Sequence, residues 1–293
     1  AVAKSTAWEV NRLHSQGMGT KKLSNTLGTY SVVDDTRALG SGSSGLVFAD
    51  KLTSGSAMMY IYSTSTGQLI SGAALDFDGT TGFPQFNFNP DVHSLEDVAQ
   101  AVNDTFGTYV EATIVNHQLN ISAKEGYTFA MGTDTTGLYA ALGLNTFFTG
   151  SNCRDLGVND KITTDNSYLC TSHVNGAGDA NQGDITTASA IAALKDTKVS
   201  ISTTREGTVS QSIVKYYDGL VGTVGADTAQ AKFNYVYKNT LASDLNDRQQ
   251  SISGVNLDEE MTDLIKYQHA YTAAAKLITT ADQMLQTLLS LKS

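Results

Sequence analysis

A glycine- and serine-rich run at residues 40–45 is the first place where the sequence could bind a ligand. It reads GSGSSG and formally matches GxGxxG. In a dinucleotide site a strand precedes the glycines and a helix follows them, because the pyrophosphate lies at the helix N-terminus. Here the residues that follow, Leu46 to Phe48, are typical of a strand. We therefore interpret the run as a flexible linker.

Residues that could hold a metal or catalyse a reaction are scattered along the chain. None of the five histidines pairs with a cysteine or a glutamate at ligand spacing; they are His14, His93, His117, His173 and His269. Two acidic turns could be imagined as calcium ligands, but neither matches an EF-hand loop. They are Asp76 and Asp78 with Gly79, and Asp179 with Asn181 and Asp184. No GxSxG elbow is evident. We expect no metal, no cofactor and no enzymatic activity.

Cys153 and Cys170 are the only cysteines. They form no CxxC or Cys/His metal pattern. An exported protein could oxidise them to a disulfide, but their spacing alone does not decide it.

Composition excludes several classes of protein. The net charge of −10 and the pI of about 4.8 argue against nucleic-acid binding, which needs clustered Lys and Arg. No apolar run reaches the roughly 18 residues of a membrane span. The 293 residues suffice for two or three domains. Because the chain opens with Ala1 inside a helical pattern and shows no signal peptide, we expect it to be a fragment.

The first half of the chain predicts a helix followed by a compact α+β module. A short helix runs from Ala3 to Ser15, and Ser94 caps a second one over Leu95 to Phe106. Alternating apolar residues predict strands at 46–48, 57–62, 68–77, 110–115, 118–122 and 127–131.

The second half is predicted to be mainly helical. After a loop-rich stretch, a short helix covers Thr186 to Lys195, and a long helical pattern begins at Thr208. Gly219, Gly222 and Gly225 interrupt it, each at about 1 kcal/mol relative to Ala. Gly254 should act as a hinge between this helix and the last one.

The last 41 residues predict one long helix with an apolar stripe. Asn256 lies at the N-cap position with Glu259 three residues later, and Lys292 lies near the end, so both termini complement the macrodipole. Apolar residues recur mainly at spacings of three and four. A stripe of this length needs another helix to cover it. The residues expected at the assembly interface are Leu257, Met261, Leu264, Ile265, Tyr271, Ile278, Leu285 and Leu288.

Three segments carry a resemblance to a known family. The C-terminal pattern, with Tyr267-Gln268, Ala274-Ala275-Lys276 and Asp282-Gln283-Met284, resembles flagellar axial proteins. Its opening, SGVNLDEEM at 253–261, is similar to the hook-associated protein 1 (FlgK-type) family of the hook–filament junction. Residues 141–151 with 157–160, and residues 9–11 with 14–17, are similar to the middle and the central helical region of that family.

The resemblance implies an α+β fold in which long helices form a helical-bundle domain with an inserted β-rich α+β domain, followed by a long coiled-coil-type C-terminal helix. The corresponding division is 1–30 and 208–253 for the helical body, 31–150 for the outer domain, 151–207 for the return connection, and 254–293 for the terminal helix. The terminal helix would pair with an N-terminal helix in a tubular core.

The same resemblance implies function and location. The protein would be a structural part of the bacterial flagellum that joins hook to filament. Its partners would be copies of itself, the hook protein, the next hook-associated protein and an export chaperone, with neither nucleic acid nor membrane. It would be extracellular, exported by the flagellar type III route without a cleaved signal peptide.

Two alternatives remain open at this point. A hook or other axial protein would share the later C-terminal pattern, although SGVNLDEEM argues against it. A surface adhesin or glycan-binding module would need aromatic side chains grouped on one exposed face of residues 46–150. The candidates are Tyr60, Tyr62, Phe83, Phe86 and Phe88.

Overall fold

The computed structural model describes residues 1–78, 87–179, 183–203 and 207–291. It is a mixed helix-and-strand structure that ends in two long helices, as the fold class predicted in outline. The chain divides into two compact units, Ala1–Val221 and Gly222–Ser293. The finer five-part division stays a prediction.

The helices that lie wholly in the first unit are short, and two of them begin at a side-chain cap, at Ser94 and at Asn159. The clearest case is Ser94, whose hydroxyl accepts the N–H of Asp97 while the Asp97 carboxylate accepts the N–H of Ser94, a complete capping box. The helices are α1 Val2–His14, α2 Leu95–Phe106, α3 Leu138–Leu142, α4 Asp160–Thr164 and α5 Thr186–Ala193.

Two three-stranded antiparallel sheets form the β-rich part. One has the order β2-β6-β5, from Asn25–Leu27, Gln118–Ala123 and Val110–Val115. The other has the order β4-β3-β7, from Leu69–Ala74, Ala57–Ser63 and Tyr127–Asp134. The predicted strands at 57–62, 68–77, 110–115, 118–122 and 127–131 are therefore confirmed, with changes at their ends.

The turn between β5 and β6 shows why this hairpin could be read from sequence. Asn116 and His117 have φ of 52° and 62°, so both central residues are left-handed. Two such residues give the type I′ turn that matches the twist of the flanking strands.

Three further antiparallel pairs are small. β1 Gly17–Met18 pairs with β10 Ser172–His173, and β8 Phe148–Thr149 pairs with β9 Gly157–Val158. β11 Val199–Thr203 pairs with β12 Gly207–Gln211. This last hairpin corrects the prediction that helix begins at Thr208, since the long helix begins five residues later at Ile213.

The predicted strand at Leu46–Phe48 is wrong. Leu46 and Phe48 lie in turns that lead into a short 3-10 helix, Ala49–Lys51, and both are buried. The Phe48 ring packs 5.3 Å from Trp8 and 5.1 Å from Tyr30, centroid to centroid. The apolar side chains of Leu46 and Phe48 therefore fill the core from a turn and not from a strand.

The main hydrophobic core joins α1, α2, α3 and the inner faces of both sheets, and a second small cluster contains Tyr60, Tyr62, Ala130 and Val174. The main core contains Trp8, Phe48, Phe106, Phe129, Tyr139 and Leu142 among its large members. Polar residues of α1 are also buried: the Asn11 amide donates to the Phe148 carbonyl at 2.9 Å and accepts its N–H at 2.7 Å. These two bonds fix α1 to β8.

The second unit consists of helix. α6 Ile213–Ser253 crosses from the first unit into the second, and α7 Leu257–Ser290 follows after a three-residue link. Gly254 lies in this link, as predicted, and Gly219, Gly222 and Gly225 lie within α6 without ending it.

Candidate assembly interface

Asn256 sets the start of α7. Its side-chain oxygen accepts the N–H of Asp258 at 3.2 Å, so the predicted N-cap is confirmed. This bond goes to the second helical residue, one short of the Glu259 N–H that a capping box would use. Asp258, Glu259 and Glu260 occupy the first turn, where negative charge complements the helix dipole. Lys292, which was predicted to complement the other end, lies outside the described residues.

All eight predicted interface residues project from α7 into solvent. Their exposed fractions run from 48% at Ile265 to 79% at Tyr271. If α7 forms, the length of its apolar stripe predicts that Leu264, Tyr271, Ile278 and Leu285 touch another helix. In the structure α7 forms, and these four side chains are uncovered within the part of the chain that is described.

A seven-residue spacing organises this exposed face. Leu257, Leu264, Tyr271, Ile278 and Leu285 follow one another at intervals of seven. A second line, four residues on from each, consists of Met261, Gln268, Ala275, Asp282 and Leu289, so it is polar at two of its five positions. Two lines separated by three and four residues have the geometry of a left-handed coiled-coil seam, and here the first line is apolar throughout. The sequence reading gave spacings of three and four, but it missed the strict heptad and left Leu289 out of the interface.

α6 also exposes large apolar side chains beyond the first unit. Examples are Val224, Phe233, Tyr235, Leu241 and Leu245. At about 25 cal/mol per Å² of apolar surface removed from water, covering two such helices would contribute strongly to assembly. The exposed apolar surface of this protein is therefore concentrated on its two long helices.

The glycine run at 40–45 has no dinucleotide geometry. The Leu39 N–H donates to the His93 carbonyl and the Gly40 N–H donates to the Pro90 carbonyl, so backbone contacts hold the run at its start. The preceding strand β2 ends at Leu27, and the element that follows is the 3-10 helix Ala49–Lys51 and not an α-helix, so the strand–loop–helix order of a dinucleotide site is absent.

The most chemically suggestive cluster joins His14, Asn145 and Cys170. His14 Nδ1 lies 2.8 Å from the Asn145 carbonyl, and Nε2 accepts the Cys170 N–H at 3.0 Å. Both ring nitrogens are therefore occupied, which fixes the neutral Nδ1–H tautomer. Burial raises the pKa of the Cys170 thiol to about 12. A nucleophilic cysteine needs a lowered pKa, so this cluster is structural.

The disulfide left open by the sequence is not formed. Cys153 and Cys170 are both free thiols, the first exposed and the second buried. The cluster around His14 and Asn145 accounts for the burial of Cys170.

The described residues contain no cluster of metal ligands, and the described aromatic candidates for glycan binding are buried. No group of three metal-ligating side chains occurs among them. Gly79 and Asn181, which complete the two imagined calcium turns, lie outside the described ranges. Tyr60, Tyr62 and Phe88 are buried rather than exposed, which removes them as glycan-stacking residues. Phe83 and Phe86 lie outside the described ranges. Among the helices that are described, none combines the length and apolarity of a membrane span.

Residues 249–291 match the family model described as flagellar basal body rod FlgEFG protein C-terminal. This match covers α7, the exposed helix with the heptad.

Longer relatives extend the similarity. The chain is 31% identical over 176 residues to flagellar hook-associated protein 1 of Escherichia coli, covering 56% of this chain and 30% of that protein. It is 40% identical over 74 residues to the Bacillus subtilis protein of the same name, covering 25% of this chain and 15% of that protein. It is 58% identical over 40 residues to flagellar hook protein FlgE of Caulobacter vibrioides, covering 14% of this chain and 7% of that protein.

The chain thus spans less than a third of the length of each of these relatives. Within that span, the resemblance to flagellar hook-associated protein 1 that SGVNLDEEM indicated is confirmed.

Proposed function

We propose that this chain is a structural component of the bacterial flagellum, a hook-associated protein that joins hook to filament by packing of subunits. The observation that carries the proposal is the exposed heptad face of α7, which lies within the segment that matches flagellar axial proteins. An ordered helix of 34 residues, about 51 Å long, gains stability when a second helix covers this face.

The finer architecture belongs to the same proposal. Residues 1–30 and 208–253 form part of a helical body, 31–150 form an outer domain that faces solvent, 151–207 return the chain, and 254–293 enter the axial core. The partners are copies of this chain, the hook protein and the next hook-associated protein. An export chaperone covers α7 before assembly, and the protein is exported by the flagellar type III route to the cell exterior.

A structural role without catalysis agrees with the geometry. The one histidine–cysteine cluster has its ring nitrogens occupied and its thiol pKa raised, as described above. The function rests instead on contacts between subunits, which heterologous interfaces can repeat along an open lattice.

A hook protein is the second candidate, since one relative of that name is 58% identical over 40 residues. The similarity to hook-associated protein 1 extends over 176 residues, well beyond the terminal helix, and favours the junction protein. A glycan-binding adhesin would need exposed aromatic side chains, and the three described candidates, Tyr60, Tyr62 and Phe88, are buried.

The proposal is tested with Leu264→Asp combined with Ile278→Asp in the natural full-length protein. Two carboxylates on the heptad face should abolish incorporation at the hook–filament junction and release unattached filament subunits. The matched control is Ala273→Asp combined with Thr280→Asp, which adds the same charge on the opposite side of α7. Normal filament attachment by the first variant contradicts the proposal, and loss of attachment in both points to helix disruption.

A further inference from the structure

On three of the four outer edges of the two three-stranded sheets, at least one residue has its outward backbone groups hydrogen-bonded. At the β5 edge, the Asn103 side chain donates to the Ala112 carbonyl at 2.9 Å and accepts the Ala112 N–H at 2.8 Å. At the β2 edge, the Lys161 ammonium donates to the Asn25 carbonyl. Such contacts occupy backbone groups that would otherwise pair with another strand.

The β7 edge is covered by backbone. Leu23 donates its N–H to the Phe129 carbonyl at 2.9 Å and accepts the Phe129 N–H at 2.8 Å. The segment that contains Leu23 continues into β2, so one piece of chain closes β7 and begins the other sheet.

The β4 edge is different. β4 pairs with β3 on one side, and its other side receives no hydrogen bond within the described part of the chain. Its sequence, LISGAA, contains neither a charge nor a proline, the usual means of protecting an edge strand. Ile70, the extra residue at a local bulge, is 41% exposed.

The ladder fixes which backbone groups face outward. The Leu75 N–H donates to the Ala57 carbonyl at 2.9 Å and so points towards β3. Backbone groups alternate in direction along an antiparallel strand, so those of Ala74 and Gly72 point to the open side.

We propose that β4 is a docking edge for a second copy of this chain, whose own β4 adds antiparallel with the pair centred on Gly72. In this register Ile70 lies opposite Ala74, and Ser71 lies opposite Ala73. The new ladder ends there, because the Gln68 carbonyl accepts the Ser63 N–H and the Asp76 N–H donates to the Thr105 hydroxyl. An uncharged strand can face itself without placing like charges opposite each other.

Opposite charges near the two ends of β4 favour a second copy of the chain as the partner and antiparallel pairing of the two strands. The Lys22 ammonium lies 3.5 Å from the Gly67 carbonyl at the start of β4, whereas Asp76 follows its end. Antiparallel pairing of two copies brings Lys22 of each near Asp76 of the other. Parallel pairing would instead bring the Asp76 carboxylates of the two copies near each other, where they would repel. This surface lies in the first unit, away in sequence from α7, so the inference goes beyond the proposed function.

The register is tested by disulfide cross-linking of the full chain in a Cys153→Ser background. In the proposed pair Ser71 of one copy lies opposite Ala73 of the other, at a non-hydrogen-bonded position where Cα atoms are about 4.5 Å apart. A mixture of Ser71→Cys and Ala73→Cys chains should therefore form mixed disulfide dimers under mild oxidation. Each variant alone should form far fewer. Equal cross-linking in all three samples, or none while Trp8 fluorescence shows a folded core, overturns the proposal.

A charge on the edge gives the second test. Ile70→Lys in both cysteine variants should lower the yield of mixed dimer by roughly tenfold, because two ammonium groups would be placed in the new sheet. Val115→Lys is the matched control, since Val115 is 42% exposed on β5, where Asn103 already covers the edge. An equal loss of mixed dimer with Ile70→Lys and with Val115→Lys contradicts a contact between β4 strands. The Leu264→Asp/Ile278→Asp variant should cross-link normally, which separates failure of this inference from failure of the proposed function.

Discussion

The backbone N–H of Cys170 donates a hydrogen bond to Nε2 of His14, 3.0 Å away and 156 residues earlier in the chain. The bond requires a neutral imidazole. It joins α1 to the segment that follows α4 and the 3-10 helix Asn166–Tyr168, so it connects two parts of the chain that are distant in sequence.

Acidification should therefore destabilise the first unit. Burial lowers the pKa of His14 from 6.5 to about 4. Between these two values the unfolded chain binds more protons than the folded chain, so stability falls as pH falls through this window, by about 3 kcal/mol in all. Fluorescence of Trp8, the single tryptophan, reports unfolding in urea.

His14→Gln is the comparison for this measurement. It should be less stable at pH 7 but should lose most of the dependence on pH between 6.5 and 4. Burial also raises the pKa of Asp134, which acts in the opposite direction, so the difference between wild type and variant is the informative quantity. An unchanged pH profile in His14→Gln would exclude the imidazole as the cause.

Asn11 should be one of the most sensitive polar residues in the core. Its side chain satisfies both backbone groups of Phe148 and is fully buried. Asn11→Ala leaves those groups without partners and should cost about 1–3 kcal/mol in free energy of unfolding. Urea denaturation measures it, with the solvent-exposed Asn152→Ala as a surface control. A cost no larger than that of the control would mean that the backbone groups find other partners.

The elements that could be predicted are those whose signals are local. α2 follows from Ser94 and Asp97, and the β5–β6 hairpin follows from Asn116 and His117, because a cap or a turn is specified within four residues. The β11–β12 hairpin was missed because the apolar residues that follow Thr208 were read with the long helix. Burial of Asn11 and His14 depends on Phe148, Asn145 and Cys170, contacts that no short window contains.

Spacing shows that Leu264 and Ile278 share a face, and it cannot show whether that face is covered. Nor can it show that the outer side of β4 receives no hydrogen bond from the described residues, because this depends on where segments distant in sequence lie.

The two cysteines should differ sharply in reactivity. Cys153 is exposed, whereas Cys170 is buried with its pKa raised to about 12, so only Cys153 should react with a thiol reagent in the folded protein at pH 8. Mass spectrometry should find one label per chain under native conditions and two in denaturant. Failure to label the denatured chain twice would show that the cysteines had formed a disulfide.

Loss of the capping box at α2 should destabilise the first unit moderately. Ser94→Ala removes the hydroxyl that accepts the Asp97 N–H, and an N-cap substitution of this kind costs about 1 kcal/mol. Ser24→Ala, which removes an exposed hydroxyl, is the control in the same urea titration. Equal unfolding midpoints for the two variants would show that the cap contributes nothing measurable.

The heptad on α7 can be tested with a residue exchange that keeps both the charge and the composition of the helix constant. Exchanging Ile278 and Thr279 moves one apolar side chain by about 100° around the helix, away from the line through Leu264, Tyr271 and Leu285. If this line is the seam of a helical pair, the exchange should weaken subunit incorporation by removing one central contact of about 1.5–3 kcal/mol.

Exchanging Gln283 and Met284 is the control, since neither residue lies on the heptad lines although Met284 is exposed and apolar. Quantified filament attachment in cells that express each variant of the full-length protein gives the comparison. The Ile278–Thr279 exchange should reduce attachment while the control leaves it unchanged, because only the first moves an apolar group out of the seam. Equal effects of the two exchanges would mean that the apolar content of α7, rather than its seven-residue phase, drives assembly.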